Sequence, residues 1–216
     1  MIRIKTQEEI EILRENAILV SKTLAEVGKH IAPGITTMEL DRIAEKFIRD
    51  NGAEPGFLGY GGFPYTLCVS VNDVVVHGFP SDYHLKDGDI VSVDCGTIYK
   101  GFYGDSAYTF PVGNVSDETR KLLDVTKESL YRGIEKAVAG NRVGDIGHAV
   151  QSYAESYGFS VVREFVGHGI GKNMHEHPEV PNYGRIGSGK KLIKGMTICI
   201  EPMVNAGEKS IYLHDN

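Results

Sequence analysis

Two aspartates eleven residues apart, Asp94 and Asp105, bracket a Lys100-Gly101 pair that reads as the centre of a two-residue hairpin turn. With that pair at the centre, opposed residues have numbers summing to 201, so Gly96 faces Asp105 and Asp94 faces Ala107. Side chains alternate across a sheet, which places Asp94, Gly96 and Ile98 on one face with Asp105 and Ala107 and makes the two carboxylates diagonal neighbours. Like charges that close, beside apolar Val91 and Val93, require something positive between them. Taken alone, the pair also fits a solvated charged face.

A second cluster points the same way. His168 lies in Gly167-His168-Gly169-Ile170-Gly171, a stretch so poor in side chains that a ligand or another backbone can approach closely. Glu201 ends the apolar run Thr197-Ile198-Cys199-Ile200, on the same face as Thr197 and Cys199, and Pro202 stops the ladder. Singly, these read as a turn histidine and a strand-end charge. Together, two aspartates, a histidine and a glutamate form an oxygen-rich donor set with one imidazole, which suits Mn, Fe, Co or Zn in a hydrolytic site and not a closed, thiolate-rich structural zinc site. The run His175-Glu176-His177-Pro178 is not HExxH, because its spacing is wrong and proline forbids the helix.

The elements that must position these groups follow from caps and periodicity. Thr6 with Glu9 is a capping box, and Ile10, Leu13, Ala17, Val20, Leu24 and Val27 recur at helical spacing up to Gly28. Thr36 with Glu39 opens a second helix that ends before Gly52. Two more helices are predicted, from near Ser116 to Gly140 and from near Asp145 to Gly158. Strands are predicted over 67–71, 74–77, 89–99, 102–110, 159–165 and 196–202. The glycine- and aromatic-rich stretch 55–64 reads as a loop whose rings can line a pocket. With no repeat, low-complexity segment or Ser/Pro-rich linker, one shared core is expected.

Composition narrows the function classes. The chain has 216 residues, 41% hydrophobic and 24% charged, with a formal net charge of −6. That length buries a proper core without staples. No apolar run reaches the ~18 residues of a membrane-spanning helix, and the charged opening is unlike a signal peptide, so a cytoplasmic location without membrane attachment is expected. Cys68, Cys95 and Cys199 are odd in number, far apart and set in apolar runs, which reads as buried thiols and excludes a disulfide framework. The acidic balance argues against DNA binding. Gly189-Lys190-Lys191 with Lys194 is a small basic cluster, read as a solvated turn or a local contact with ribosomal RNA.

Four segments carry a specific likeness: DCGTIYKGFYGDSAYTF, VNDVVVHGFP, GHGIGKNMHEHP and EPMVNAG. They resemble the signature segments of the type I methionine aminopeptidase family, with the spacings intact, in its short bacterial form. The resemblance implies an α+β pita-bread fold, two pseudo-related halves of helices and antiparallel strands around a dinuclear metal centre. It implies two divalent ions (Co, Mn, Fe or Zn), with Asp94 and Asp105 on one, Asp105, His168 and Glu201 on the other, and Asp105 bridging. His77 then contacts the scissile amide nitrogen side, and His175 donates to the scissile carbonyl oxygen. The methionine pocket is implied at Phe57, Tyr60, Phe63, Cys68 and Met174. The expected substrates are nascent polypeptide N-termini whose initiator methionine precedes a small residue, with a monomeric enzyme in transient contact with the ribosome. The family's last bridging glutamate falls beyond Asn216, so the expectation is a single catalytic domain, 1–216, without the C-terminal strands. The alternative is a fold relative with weakened catalysis acting as a binding module.

Overall fold

The computed structural model describes residues 2–213, which fall into two compact units. Among the described residues, one comprises Thr6–Ser116 with Gly171–Met174; the other comprises Asp117–Ile170 and residues 175–213 with residues 2–5.

In the first unit, helices α1 (Gln7–Gly28) and α2 (Thr37–Asp50) both begin with the expected capping boxes, at Thr6/Glu9 and Thr36/Glu39. Strand β3 (Ile90–Tyr99) runs antiparallel to β4 (Phe102–Pro111) along one edge and to β1 (Glu54–Pro55) and β2 (Leu67–Val71) along the other. The apolar face of this sheet, Leu67, Val69, Val91, Val93 and Cys95, packs in one core with Leu24 and Val27 of α1 and Leu40, Ala44 and Ile48 of α2. Burying one face leaves the other for polar chemistry.

The second unit holds α3 (Asp117–Lys136) and α4 (Val143–Ser156), with two short antiparallel pairs. Strand β5 (Ser160–Val161) pairs with β8 (Val204–Asn205), and β6 (Gly167–Gly169) pairs with β7 (Glu176–Val180). Its cores gather Val125, Val150, Ala154 and Val161 in one cluster and Val143, Ile146, Val180 and Leu192 in another.

Three predicted strands come out differently. Residues 74–77 leave the sheet: Asn72 takes a positive φ of 54°, and its side chain accepts from the Ile90 N–H at 3.0 Å. The edge of β2 is met instead by Gly78, whose carbonyl accepts from Val69 N–H at 2.8 Å. Residues 159–165 form a ladder only at 160–161. Residues 196–202 are not a strand, although Cys199 N–H donates to His168 O at 2.7 Å and Ile170 N–H to Thr197 O at 3.2 Å. Their partner β6 is only three residues long, so a longer ladder has nothing to pair with. Helix α3 also stops at Lys136, short of Gly140.

One buried polar residue ties α1 to the β3–β4 hairpin. Asn16 donates to Phe102 O at 2.9 Å and to Thr97 O at 3.3 Å, and accepts from Thr97 Oγ1 at 2.6 Å. Gly104 makes room for it, since a Cβ there would lie 2.9 Å from the Asn16 side chain. Replacing Asn16 with Ala strands these buried groups and is expected to cost about 2–3 kcal/mol, read as a lower urea midpoint with an unchanged slope.

Candidate metal centre

The carboxylates of the first unit are placed by the turn. Lys100 and Gly101 have φ values of 50° and 78°, both positive, as a two-residue turn matched to strand twist requires. The resulting register pairs Gly96 with Asp105 and Asp94 with Ala107. Because Val91, Val93 and Cys95 face the core, Asp94 and Asp105 stand on the opposite face, both half-buried.

That face also carries an apolar cluster. Cys68 of β2 is the direct partner of Asp94. Phe57, Cys68 and Met174 form a buried cluster against which Phe63 and Tyr103 pack. Gly96 is the floor beneath the Phe57 ring: a Cβ there would lie 2.4 Å from a ring carbon, so only glycine lets the ring down onto the strand. Burial first, then the charges of Asp94 and Asp105, push the Cys68 thiol far above its ordinary range, keeping it neutral. Tyr60 is 43% exposed and meets the cluster through an edge-on contact with Tyr103, ring centroids 6.5 Å apart. Tyr103 went unnoticed in the sequence, yet alternation along β4 puts it on the face of Asp105.

His77 lies on the exposed segment that follows β2 and takes a positive φ of 60°. Gly78 anchors it, donating to Ser70 Oγ at 3.1 Å, and any Cβ at Gly78 would collide with Val69 O at 2.4 Å. Loss of surrounding water pushes the His77 imidazole below its ordinary pKa.

In the second unit, the glycines around His168 have a definite purpose. A Cβ at Gly167 would sit 2.3 Å from Cys199 O, and one at Gly169 would sit 2.4 Å from His177 O, so β6 is squeezed between two backbones. His168 is buried, its Nδ1 2.8 Å from Gly169 O. A carbonyl only accepts, so that contact assigns a proton to Nδ1 and turns Nε2 toward Glu201 Oε1, 3.3 Å away. An imidazole nitrogen and a carboxylate oxygen converging at that distance are donors that a divalent metal takes, so these residues fit one. Asn182 Nδ2–H donates to Glu201 O at 2.6 Å and fixes its backbone. The His175 ring stands edge-on to the His168 ring, centroids 4.3 Å apart.

Cys199 was expected to be buried with the other two thiols. It is only half-buried, and its Sγ comes within 4.8 Å of a His168 nitrogen. The structure thus brings Asp94 and Asp105 together within one unit, and His168, Glu201 and His175 within the other.

The model of metallopeptidase family M24 matches residues 11–216. The chain belongs to that family. A methionine aminopeptidase of Clostridium perfringens is 54% identical over 216 residues, covering 100% of this chain and 87% of the relative. Methionine aminopeptidase 1 of Bacillus subtilis is 53% identical over 211 residues, covering 98% and 85%. Among solved structures, methionine aminopeptidase from Rickettsia prowazekii superposes with a TM-score of 0.97 at 42% identity, covering 99% of this chain and 86% of that one. A prolidase from Pyrococcus furiosus gives 0.79 at 27% identity, covering 92% and 57%. The fold is the expected α+β pita-bread fold, and membership of a metallopeptidase family makes the protein a metal-dependent hydrolase of peptide bonds. Among the described residues, no helix is long and apolar enough to cross a membrane.

His77 offers a pH test. Its folded pKa lies below the ordinary 6.5, so the stability it contributes is complete above that value and is lost as pH falls through the folded pKa. Ring proton shifts followed by NMR are expected to place the His77 midpoint below 6.5.

Proposed function

We propose that this protein removes the N-terminal methionine from newly made polypeptides whose second residue is small, working as a single catalytic domain, a monomer in the cytoplasm. Asp94, Asp105, His168 and Glu201 would hold two divalent ions, Co, Mn, Fe or Zn, with Asp105 shared. A divalent ion supplies a water made acidic enough to attack at neutral pH.

The chain's own side chains do the rest. Glu201 accepts the proton that the attacking water gives up. His175 donates to the scissile carbonyl oxygen as negative charge develops on it. His77 would contact the scissile amide nitrogen side, and the residue after the methionine would have to fit beside it, which favours a small one. Phe57, Tyr60, Phe63, Cys68 and Met174, joined by Tyr103, hold the methionine side chain; each sulfur–aromatic contact contributes roughly 0.3–1.5 kcal/mol.

The observation that carries this reading is the pairing of Cys68 with Asp94: a soft cluster of sulfur and aromatic rings and a candidate ligand carboxylate share one sheet face. The names of the relatives at 54% and 53% identity support the same activity.

Hydrolysis of a Met-Ala-Ser peptide with added manganese or cobalt is the direct test. Release of methionine is expected, with loss of turnover on chelation and recovery on readdition of the ion. His168→Ala is expected to abolish metal-dependent cleavage; unchanged turnover at saturating metal refutes its place as a ligand. Lys190, Lys191 and Lys194 are exposed, and we assign them a transient electrostatic contact with ribosomal RNA. Ribosome binding is then expected to weaken between low and moderate salt in a sedimentation assay, and a salt-independent affinity rules the contact out.

A further inference from the structure

Within the second unit, one ion pair is almost wholly removed from water. Lys5 Nζ lies 2.7 Å from Glu176 Oε2, and the two side chains are 3% and 4% exposed. Each end of the pair is tied to the site. Glu176 opens β7 next to His175 and is the register partner of Gly169, the residue after His168. The Lys5 backbone N–H donates to Gly195 O at 2.9 Å, just before the segment that runs to Glu201. Gly195 has a φ of 89°, and a Cβ there would lie 2.6 Å from Ile4 Cγ2, so glycine is required for the N-terminal segment to seat.

Burying two charges costs solvation that their attraction offsets only in good geometry, and a well-packed apolar pair usually matches or exceeds it in stability. A fold that needed only adhesion at this point would be served by two apolar side chains. What an ion pair adds is direction, because the ammonium must meet one carboxylate oxygen while its stem and backbone are held elsewhere.

We propose that Lys5 and Glu176 are positioning residues, whose buried ion pair sets the start of β7 and thereby holds the His175 imidazole against His168. The inference deepens the aminopeptidase reading and rests on it for its kinetic arm. The pair acts through the backbone of Glu176, which His175 precedes and Gly169 faces.

The decisive variant is the apolar replacement Lys5→Met/Glu176→Leu, assayed in the full chain loaded with manganese. Its melting temperature is expected to equal or exceed that of the parent. Its kcat on Met-Ala-Ser is expected to fall roughly ten- to hundredfold, with KM and metal affinity little changed, because a small displacement of an oxyanion donor is felt only in the transition state. A folded double variant with the parent kcat overturns the proposal and leaves the pair a matter of adhesion. Should the double variant fail to fold, Glu176→Gln carries the test, since it keeps shape and a hydrogen bond while removing the charge; an unchanged kcat overturns the proposal equally. An arm independent of turnover follows the His175 ring resonance by NMR, assigned by its loss in His175→Gln. A shift of that resonance in the variant supports positioning even if the parent cleaves nothing, and a resonance that stays in place in a folded variant refutes it. Absence of cleavage by the parent itself counts against the aminopeptidase reading alone.

Discussion

The chemistry of the first unit depends on the register of one hairpin. Because side chains alternate strictly along a strand, sliding β4 by a single residue would carry Asp105 to the face packed on α1 and α2 and bring core residues out to water. Two positive φ values at Lys100 and Gly101 hold the two-residue turn, and with it all ten cross-strand pairs. Asn16 reinforces this from outside the sheet, bonding both β3 and the first residue of β4 near that turn. The two aspartates are therefore placed by backbone geometry, and neither depends on a flexible loop.

The second unit reaches a comparable result by another route. Its ladders are too short for register to be held by many pairs, so close approach does the positioning. Gly167 and Gly169 allow β6 to lie against two neighbouring backbones, and the hydrogen bond from His168 Nδ1 to Gly169 O fixes the ring. Glu201 is fixed through its own carbonyl by Asn182. An imidazole nitrogen and a carboxylate oxygen are left facing each other at 3.3 Å, a donor pair suited to a cation.

The same fold serves peptidases of different names. The structure from Rickettsia prowazekii is a methionine aminopeptidase and the one from Pyrococcus furiosus is a prolidase, and this chain superposes on both. The fold therefore does not choose the substrate. In this chain, a neutral thiol, aromatic rings and a methionine cluster on the face of Asp94, with Cys68 directly opposite that carboxylate.

Much of this was readable from the amino-acid string because it is local. Capping boxes act within four residues, a two-residue turn sets its own register, and alternation then assigns faces, so helix starts, the hairpin and the placing of Asp94 and Asp105 as diagonal neighbours on one face were all determined by neighbours in sequence. Tertiary structure alone decided the rest. Residues 74–77 and 196–202 have strand-forming side chains, but a strand exists only where a partner of matching length is present, and only folding supplies one. Tyr103 joins the cluster because Phe57 descends onto Gly96, and Lys5 meets Glu176 across 171 residues of chain. Contacts of that range leave no periodic trace, since each depends on where distant backbones come to rest and not on the residues beside them.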